Sequence, residues 1–221
     1  MKQTSRSDAP PIRVGLVDDH AMVREALASV IEDDGGIEVV AQGETTHDAV
    51  RIIRELEPDV LVLDYNLPGG GALPALEVLP DSATSVRVLV LTVHESIHYA
   101  VRVLEAGAQG FMVKSSAVEE LLDAIRAVNA GDIYITPAFS RSVIDQLRRP
   151  KTDRVGVASL SMREFELLRL LGAGMGLKEV ARHLCISVST ASTYRARVMK
   201  KLNLASTAEL IRFALENDLV R

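Results

Sequence analysis

The feature that most constrains this chain is a regular alternation along residues 12–129. Short, almost wholly apolar runs stand at IRVGLV (12–17), IEVVA (37–41), VLVL (60–63), VRVLVLTV (86–93) and FMV (111–113). Between them the apolar residues recur at helical spacing: Met22, Val23, Leu27, Val30 and Ile31 in 21–32; Ala49, Val50, Ile53 and Leu56 in 47–57; Ile97, Val101 and Leu104 in 97–106; Val118, Leu121, Leu122, Ile125 and Val128 in 118–129. A weaker candidate lies at 72–79. A strand with one wet face alternates polar and apolar residues, so runs this apolar read as strands buried on both faces. Five strand–helix units in a row predict a parallel, doubly wound five-stranded α/β sheet. Right-handed crossovers and a change of winding direction then place the working site at the carboxyl ends of the strands.

After Gly131 the pattern breaks. Residues 11–132 read as one domain and 133–157 as a linker in which Pro137 could open a short helix. Residues 158–221 read as a second, small all-α domain. There Ser161-x-x-Glu164 and Ser206-x-x-Glu209 are capping boxes, in which a hydroxyl and a carboxylate satisfy the unpaired amides of a helix start. Helices are expected over 177–185, 188–202 and 206–217, with a tight turn at 186–187. Gly172, Gly174 and Gly176 are expected to end the first helix of this domain.

Charge follows the same division. Residues 1–150 carry 13 Lys and Arg against 23 Asp and Glu, while residues 151–221 carry 12 against 7. An acidic body joined to a basic end suggests two domains with different partners. The single cysteine, Cys185, excludes an internal disulfide and suits a reducing compartment. It falls in an apolar helix register and reads as a core residue. The first dozen residues lack an apolar leader core, and no apolar run reaches the ~18–20 residues of a membrane span, so a cytoplasmic protein without membrane contact is expected. Aromatic residues are only 4% and Trp is absent, which argues against stacking platforms for single-stranded nucleic acid.

The strand ends carry the first chemical constellation. Strand 1 is followed by Asp18 and Asp19, strand 3 ends in Asp64, strand 4 in Thr92 and strand 5 in Lys114. A parallel sheet gathers all five at one edge. Clustered carboxylates repel one another, and one of them should hold its proton more tightly unless a cation intervenes. Mg²⁺ suits such a set, because it takes a few carboxylates and keeps waters and a phosphate in its shell. A carboxylate beside the ion can attack phosphorus and form an aspartyl phosphate. Lys114 would offset charge on the phosphoryl oxygens and Thr92 would offer them a hydroxyl.

Asp18-Asp19, VLVLDYNLPG around Asp64, LTVH around Thr92 and GFMVK ending in Lys114 resemble the receiver domain of bacterial two-component response regulators. The resemblance covers about residues 12–131. It implies a flavodoxin-like fold with strand order 2-1-3-4-5 and Asp64 as the phosphoacceptor. It implies Mg²⁺ held by Asp18, Asp19, Asp64 and the backbone carbonyl of Asn66, with Thr92 and Lys114 on the phosphoryl group. Phe111 matches the family's switch aromatic, which fills the space that Thr92 vacates when it moves toward the phosphate. His94, two positions after Thr92, falls where the family tunes phosphate lifetime. One departure is Gly69-Gly70-Gly71-Ala72: the family's usual glycine, four residues after Pro68, is Ala72 here, which puts the start of the third helix in doubt.

The second constellation is basic. Lys178, Arg182, Arg195, Arg197, Lys200 and Lys201 flank the turn at Ile186-Ser187, and Ser187 reads as the cap of helix 188–202. Small hydroxyl residues at a helix start can enter a major groove while cations further along reach phosphates. Val180, Leu184, Val188, Ala191, Val198 and Leu202 are expected to face the core. Residues 160–220 resemble the LuxR-type helix-turn-helix, and the two-domain order resembles the NarL/FixJ family of transcriptional regulators. That resemblance implies that 188–202 is the recognition helix. Ser192, Thr193 and Ala196 would face bases, and Lys178, Arg195, Arg197 and Lys200 would hold phosphates of double-stranded promoter DNA. Ala191 stands where Val is usual and Tyr194 where His is commoner. Helix 206–217 would carry the dimer contact.

Other motifs are weaker. His94-Glu95-Ser96-Ile97-His98 fits H-E-x-x-H, but it begins in a strand-to-helix loop, whereas zinc needs both histidines on one helix face. Gly69-Gly70-Gly71 lacks the Lys-Ser/Thr of a phosphate-binding loop. His20, His47 and His183 are scattered and suggest no metal site.

The sequence is thus expected to encode a DNA-binding regulator, not an enzyme, switched by a histidine kinase through Mg²⁺-dependent phosphorylation of Asp64 and pairing as a homodimer when phosphorylated. Its rivals are a regulator indifferent to phosphorylation, a metal-dependent phosphohydrolase and a phosphorylated adaptor that binds only protein. The intact acidic set opposes the first, the helix-turn-helix gives the second no use for residues 158–221, and failure to bind DNA at low salt would favour the third.

Overall fold

The computed structural model describes residues 10–79, 85–116, 118–217 and 219–220. Residues 1–9 of the stretch read for a leader, and the side chain of Val118, lie outside them. In chain order the elements begin β1 (Ile12–Val17), α1 (Ala21–Asp33), β2 (Ile37–Gly43), α2 (Thr46–Glu55), β3 (Val60–Asp64) and α3 (Leu73–Val78). They continue with β4 (Arg87–Thr92), α4 (Ile97–Glu105), β5 (Gly110–Val113), α5 (Val118–Ala130), β6 (Tyr134–Ile135) and α6 (Pro137–Leu147). After two short 3₁₀ turns come α7 (Met162–Gly172), α8 (Leu177–His183), α9 (Val188–Leu202) and α10 (Thr207–Glu216). Contacts divide the chain into two units: residues up to Val93 with Gly107–Thr136, and His94–Ala106 with Pro137 onward.

The first unit is a parallel sheet in the order β2-β1-β3-β4-β5-β6. Its apolar runs supply the buried surface that the sequence promised. Val60, Leu61, Val62 and Leu63 are all fully buried, each contributing roughly 1.5–3 kcal/mol of burial. One cluster joins Val14, Val62, Leu89 and Met112 of the strands to Ile31 of α1 and Ile125 of α5. α2 is opened by Thr45, which accepts from the Asp48 amide while Asp48 accepts from the Thr45 amide.

The sheet has six strands, not the five expected. Tyr134 and Ile135, read from sequence as linker, pair with Gly110 and Phe111. The Tyr134 amide donates to the Gln109 carbonyl at 3.0 Å and the Thr136 amide to the Phe111 carbonyl at 3.1 Å. The segment from Ile133 reads as extended before Pro137, but two paired residues are too few for a periodicity that would mark them as a strand of the sheet.

The departure at residues 69–72 leaves α3 a short helix beginning at Leu73, with Pro74 in its first turn. Gly71 has φ +70°, and a Cβ there would stand 2.9 Å from the Tyr65 carbonyl oxygen. Only glycine meets both conditions, so the loop takes its glycine one residue early.

The second unit is helical. Phe165, Leu167, Leu168, Val180, Ala191, Val198 and Leu210 are fully buried. Ser161 and Glu164 form the expected capping box at α7. Gly172 lies inside α7 and lets α10 approach, since a Cβ there would stand 2.5 Å from Ala214 Cβ. Residues 94–106 join this unit through α4. Tyr99 is fully buried, packs edge-on against Phe165 at 5.0 Å, and donates its hydroxyl to the Leu219 carbonyl at 3.3 Å. The Arg102 guanidinium lies 4.0 Å from the centre of the Phe165 ring and donates to the carbonyls of His98 and Val157. Arg154 pairs with Glu105 at 2.6 Å.

Two expected core positions are corrected. Cys185 is exposed: α8 ends at His183, and Cys185 sits beyond it with φ +55°, so the helical register that would bury it has stopped. Val188 is 45% exposed, because the first residue of α9 precedes the turn in which the helix meets its neighbours.

Candidate functional site

The parallel register decides where the polar strand ends fall. Val17 pairs with Leu63, Asp64 with Leu91, and Thr92 with Val113, so each strand ends about one residue beyond its neighbour. Asp18, Asp64, Thr92 and Lys114 therefore line one edge. Asp18 is 1% exposed, Asp64 3% and Thr92 0%. The Lys114 Nζ lies 2.6 Å from Asp18 Oδ2 and 3.1 Å from Asp64 Oδ1, bridging carboxylates that start 46 residues apart in sequence. The Lys114 amide donates to the Thr92 carbonyl at 2.7 Å, which ties the ends of β4 and β5 together. Lys114 borders a small cavity of about 90 Å³ that Val23, Leu27, Leu91, Met112, Ser116 and Leu121 also line.

Burial pushes the Asp64 carboxyl above its ordinary range. Lys114 opposes that shift by charge and hydrogen bond, Asp18 adds to it by repulsion, and the Asn66 amide donates to the carboxylate. One ammonium for two buried carboxylates, with Asp19 exposed beside them, leaves the edge short of positive charge. Asp18, Asp19, His20 and Asp64 each place a ligand atom within 4.8 Å of the others, a donor set that fits a divalent cation. Phe111 is fully buried beside Val90.

Two residues of this edge escaped the sequence reading. His20, which the sequence groups with His47 and His183 as scattered, has its Nδ1 2.8 Å from Asp19 Oδ1. Its adjacency to Asp18-Asp19 was the available signal. Arg24, one turn into α1, donates to the Asp18 carbonyl at 2.6 Å and pairs with Glu44 at 2.7 Å; nothing in the sequence marks it. The H-E-x-x-H stretch splits as expected. Ser96 caps α4, so His98 is helical and His94 is not. His94 stacks on Tyr99 at 4.3 Å.

The basic constellation lies in the second unit. Ser187 caps α9 by accepting from the Thr190 amide at 3.0 Å. Along α9, Thr193, Ala196, Arg197 and Lys200 are exposed, at the three- and four-residue spacing that makes one helix stripe. Ser192 and Arg195 flank it half-buried, and Lys178 is exposed on α8. The Thr193 hydroxyl donates to the Ser189 carbonyl at 3.1 Å. Lys201 turns away: its Nζ binds Glu164 at 2.6 Å and the Ser159 carbonyl at 3.1 Å. Glu164 has its carboxyl below the ordinary range; burial would raise it, and the bonds from Lys201 and the Ser161 amide lower it more.

Residues 14–126 match the response regulator receiver domain, and residues 158–214 match the luxR family of bacterial regulatory proteins. This chain is a two-component response regulator. It belongs to the NarL/FixJ family, with a receiver domain and a LuxR-type DNA-binding domain. The regulator is 34% identical to the response regulator GacA of Pseudomonas aeruginosa over 95% of this chain and 98% of that one. It is 34% identical to the response regulator UvrY of Escherichia coli K12, over 94% and 95%. Among solved structures, a LuxR-family response regulator from Aurantimonas sp. SI85-9A1 matches with a TM-score of 0.58 at 36% identity, over 62% of this chain and 97% of that one. RcsB of Salmonella typhimurium shares the fold with a TM-score of 0.73 at 22% identity, over 95% and 99%. Among the described residues, no helix is long and apolar enough to cross a membrane.

Proposed function

We propose that this regulator is switched by Mg²⁺-dependent phosphorylation of Asp64 by a partner histidine kinase, and that the switch controls its binding to double-stranded promoter DNA in the cytoplasm. The observation that carries this reading is the buried Asp18–Lys114–Asp64 bridge, with Thr92 at the same strand edge. Asp18, Asp19, Asp64 and the Asn66 carbonyl would hold the ion, which supplies charge neutralisation to the transferring phosphoryl group. A carboxylate oxygen of Asp64 attacks phosphorus. An O–P bond forms, the bond to the donor nitrogen breaks, and that nitrogen regains its lone pair and takes a proton. Lys114 exchanges one carboxylate for a phosphoryl oxygen, and Thr92 offers its hydroxyl. Phe111 then adjusts to the space Thr92 leaves, a two-state change biased by a charge event.

In the second unit, Ser192, Thr193 and Ala196 face bases while Lys178, Arg195, Arg197 and Lys200 hold phosphates. Thr193 does so with a hydroxyl already bonded within its helix, so its methyl is the free recognition element. Phosphorylation promotes a homodimer whose two recognition helices reach two half-sites. The test is intact mass after incubation with Mg²⁺ and a small-molecule phosphodonor, wild type beside Asp64→Asn, followed by DNA titration with each product. One phosphoryl group on wild type alone is the expected result, and equal uptake by the variant overturns the assignment of Asp64.

A further inference from the structure

We infer that His20 is a ligand in the cation site and gives it a preference for transition-metal divalent ions over Mg²⁺. The inference rests on the metal site proposed above and concerns a residue outside its carboxylate set. His20 occupies the N-cap of α1, a position usually held by Ser, Thr, Asp or Asn because their oxygen accepts from the first amides. Its imidazole makes no such bond. The residue is turned the other way: its amide donates to Asp18 Oδ1 at 2.9 Å, and its Nδ1 lies 2.8 Å from Asp19 Oδ1 and 3.5 Å from Asp18 Oδ1. The side chain is 67% exposed, so it is free to move toward the carboxylates without disturbing packing.

The spacing is that of an unclosed coordination shell. Two ligands at ~2.1 Å from an octahedral ion lie ~3.0 Å apart when adjacent and ~4.2 Å apart when opposite. The four ligand atoms of Asp18, Asp19, His20 and Asp64 all lie within 4.8 Å of one another, so closure on an ion requires at most about 0.6 Å for an opposite pair and about 1.8 Å for an adjacent one. The chemistry of the fourth donor decides which ion benefits. Mg²⁺ is hard and prefers oxygen, so an imidazole adds little to its binding. Mn²⁺ and, more strongly, Co²⁺ accept an imidazole nitrogen beside carboxylates, in the usual order of affinities.

The experiment titrates the full chain with Mg²⁺, Mn²⁺ and Co²⁺ by calorimetry. Co²⁺ is followed as well by its ligand-field absorption, which reports a nitrogen ligand directly. His20→Asn and, as a control outside the cluster, His47→Asn are measured beside wild type. The expected result is a loss of about tenfold or more in Co²⁺ affinity and a smaller loss for Mn²⁺ in His20→Asn. Its absorption spectrum shifts, its Mg²⁺ affinity stays within about twofold, and His47→Asn matches wild type throughout. Unchanged Co²⁺ affinity and spectrum in His20→Asn, with Mg²⁺ still bound, overturn the role of His20 and leave the carboxylate site standing. Absence of binding by any of the three ions to wild type overturns the carboxylate site itself.

Discussion

Replacing Asp64 by Asn should make the metal-free protein more stable while abolishing phosphoryl uptake. At an effective dielectric of about 20, Lys114 at 3.1 Å attracts the Asp64 carboxylate by about 5 kcal/mol. Asp18, within 4.8 Å, repels it by at least about 3.5 kcal/mol. The balance of about 1–2 kcal/mol does not repay the several kcal/mol required to strip water from a carboxylate that is 3% exposed. The raised Asp64 pKa expresses the same deficit. Asparagine keeps the shape and still offers Lys114 an oxygen, and Lys114 retains Asp18 at 2.6 Å. A gain of about 2 kcal/mol at neutral pH follows, which for the receiver unit is a rise in melting temperature of roughly 6–10 °C. The assay is differential scanning calorimetry in chelator and again in excess Mg²⁺. The ion should raise wild type by about 2–3 kcal/mol at a hundred times its dissociation constant, and the variant much less, so the gap closes. A variant that melts at or below wild type in chelator would refute the reasoning, because Lys114 would then outweigh burial.

Arg197→Ala should weaken binding to every DNA sequence and reduce the slope of log affinity against log salt by about 0.9, the share of one phosphate contact; a loss confined to one sequence contradicts a phosphate-holding role. His98 has a buried Nδ1 with no hydrogen-bond partner among the described residues, and burial, aided by Arg102, lowers its pKa from 6.5 to about 4. The fold thus prefers the neutral ring: this contribution is whole above pH 6.5 and is lost as pH falls toward 4. Allowing for partial exposure, urea titrations should show about 1 kcal/mol lost between pH 6.5 and 5, and His98→Phe should flatten that dependence. Lys201→Met strands the buried Glu164 and should cost the helical unit about 1–2 kcal/mol, since Lys201 is itself partly exposed. Gly172→Ala should cost about 1–3 kcal/mol by forcing α7 and α10 apart; an unchanged urea midpoint would show that this contact relaxes freely.

Legibility followed the length and independence of each signal. VRVLVLTV reads as a buried strand without knowing its neighbours, and Thr92 inherits its place from that strand's end. The edge of Asp18, Asp64, Thr92 and Lys114 was legible for the same reason, because a parallel sheet fixes which strand ends meet. Tyr134 and Ile135 form a strand only because β5 offers a free edge, a fact absent from their own two residues. Cys185 was placed in a core by a helical register that had already ended. The scatter of His20, His47 and His183 along the sequence gives no sign that His20 Nδ1 lies 2.8 Å from Asp19 Oδ1 and 3.5 Å from Asp18 Oδ1. The contacts of α4 depend on Phe165, a residue 60 or more positions away, and no local pattern announces them.

That last pairing has a consequence for synthesis. Tyr99 and Arg102 leave the ribosome well before Phe165, and at about 5–20 residues per second the wait is about 3–13 s. Folding of the helical unit cannot finish within either of its two segments, since one of them, 94–106, is encoded between two strands of the sheet. A fragment starting at Pro137 would lack Tyr99 and Arg102 and leave the Phe165 ring with solvent where they now pack. Such a fragment should express less soluble protein than the full chain, and supplying residues 94–106 as a peptide should recover part of the difference.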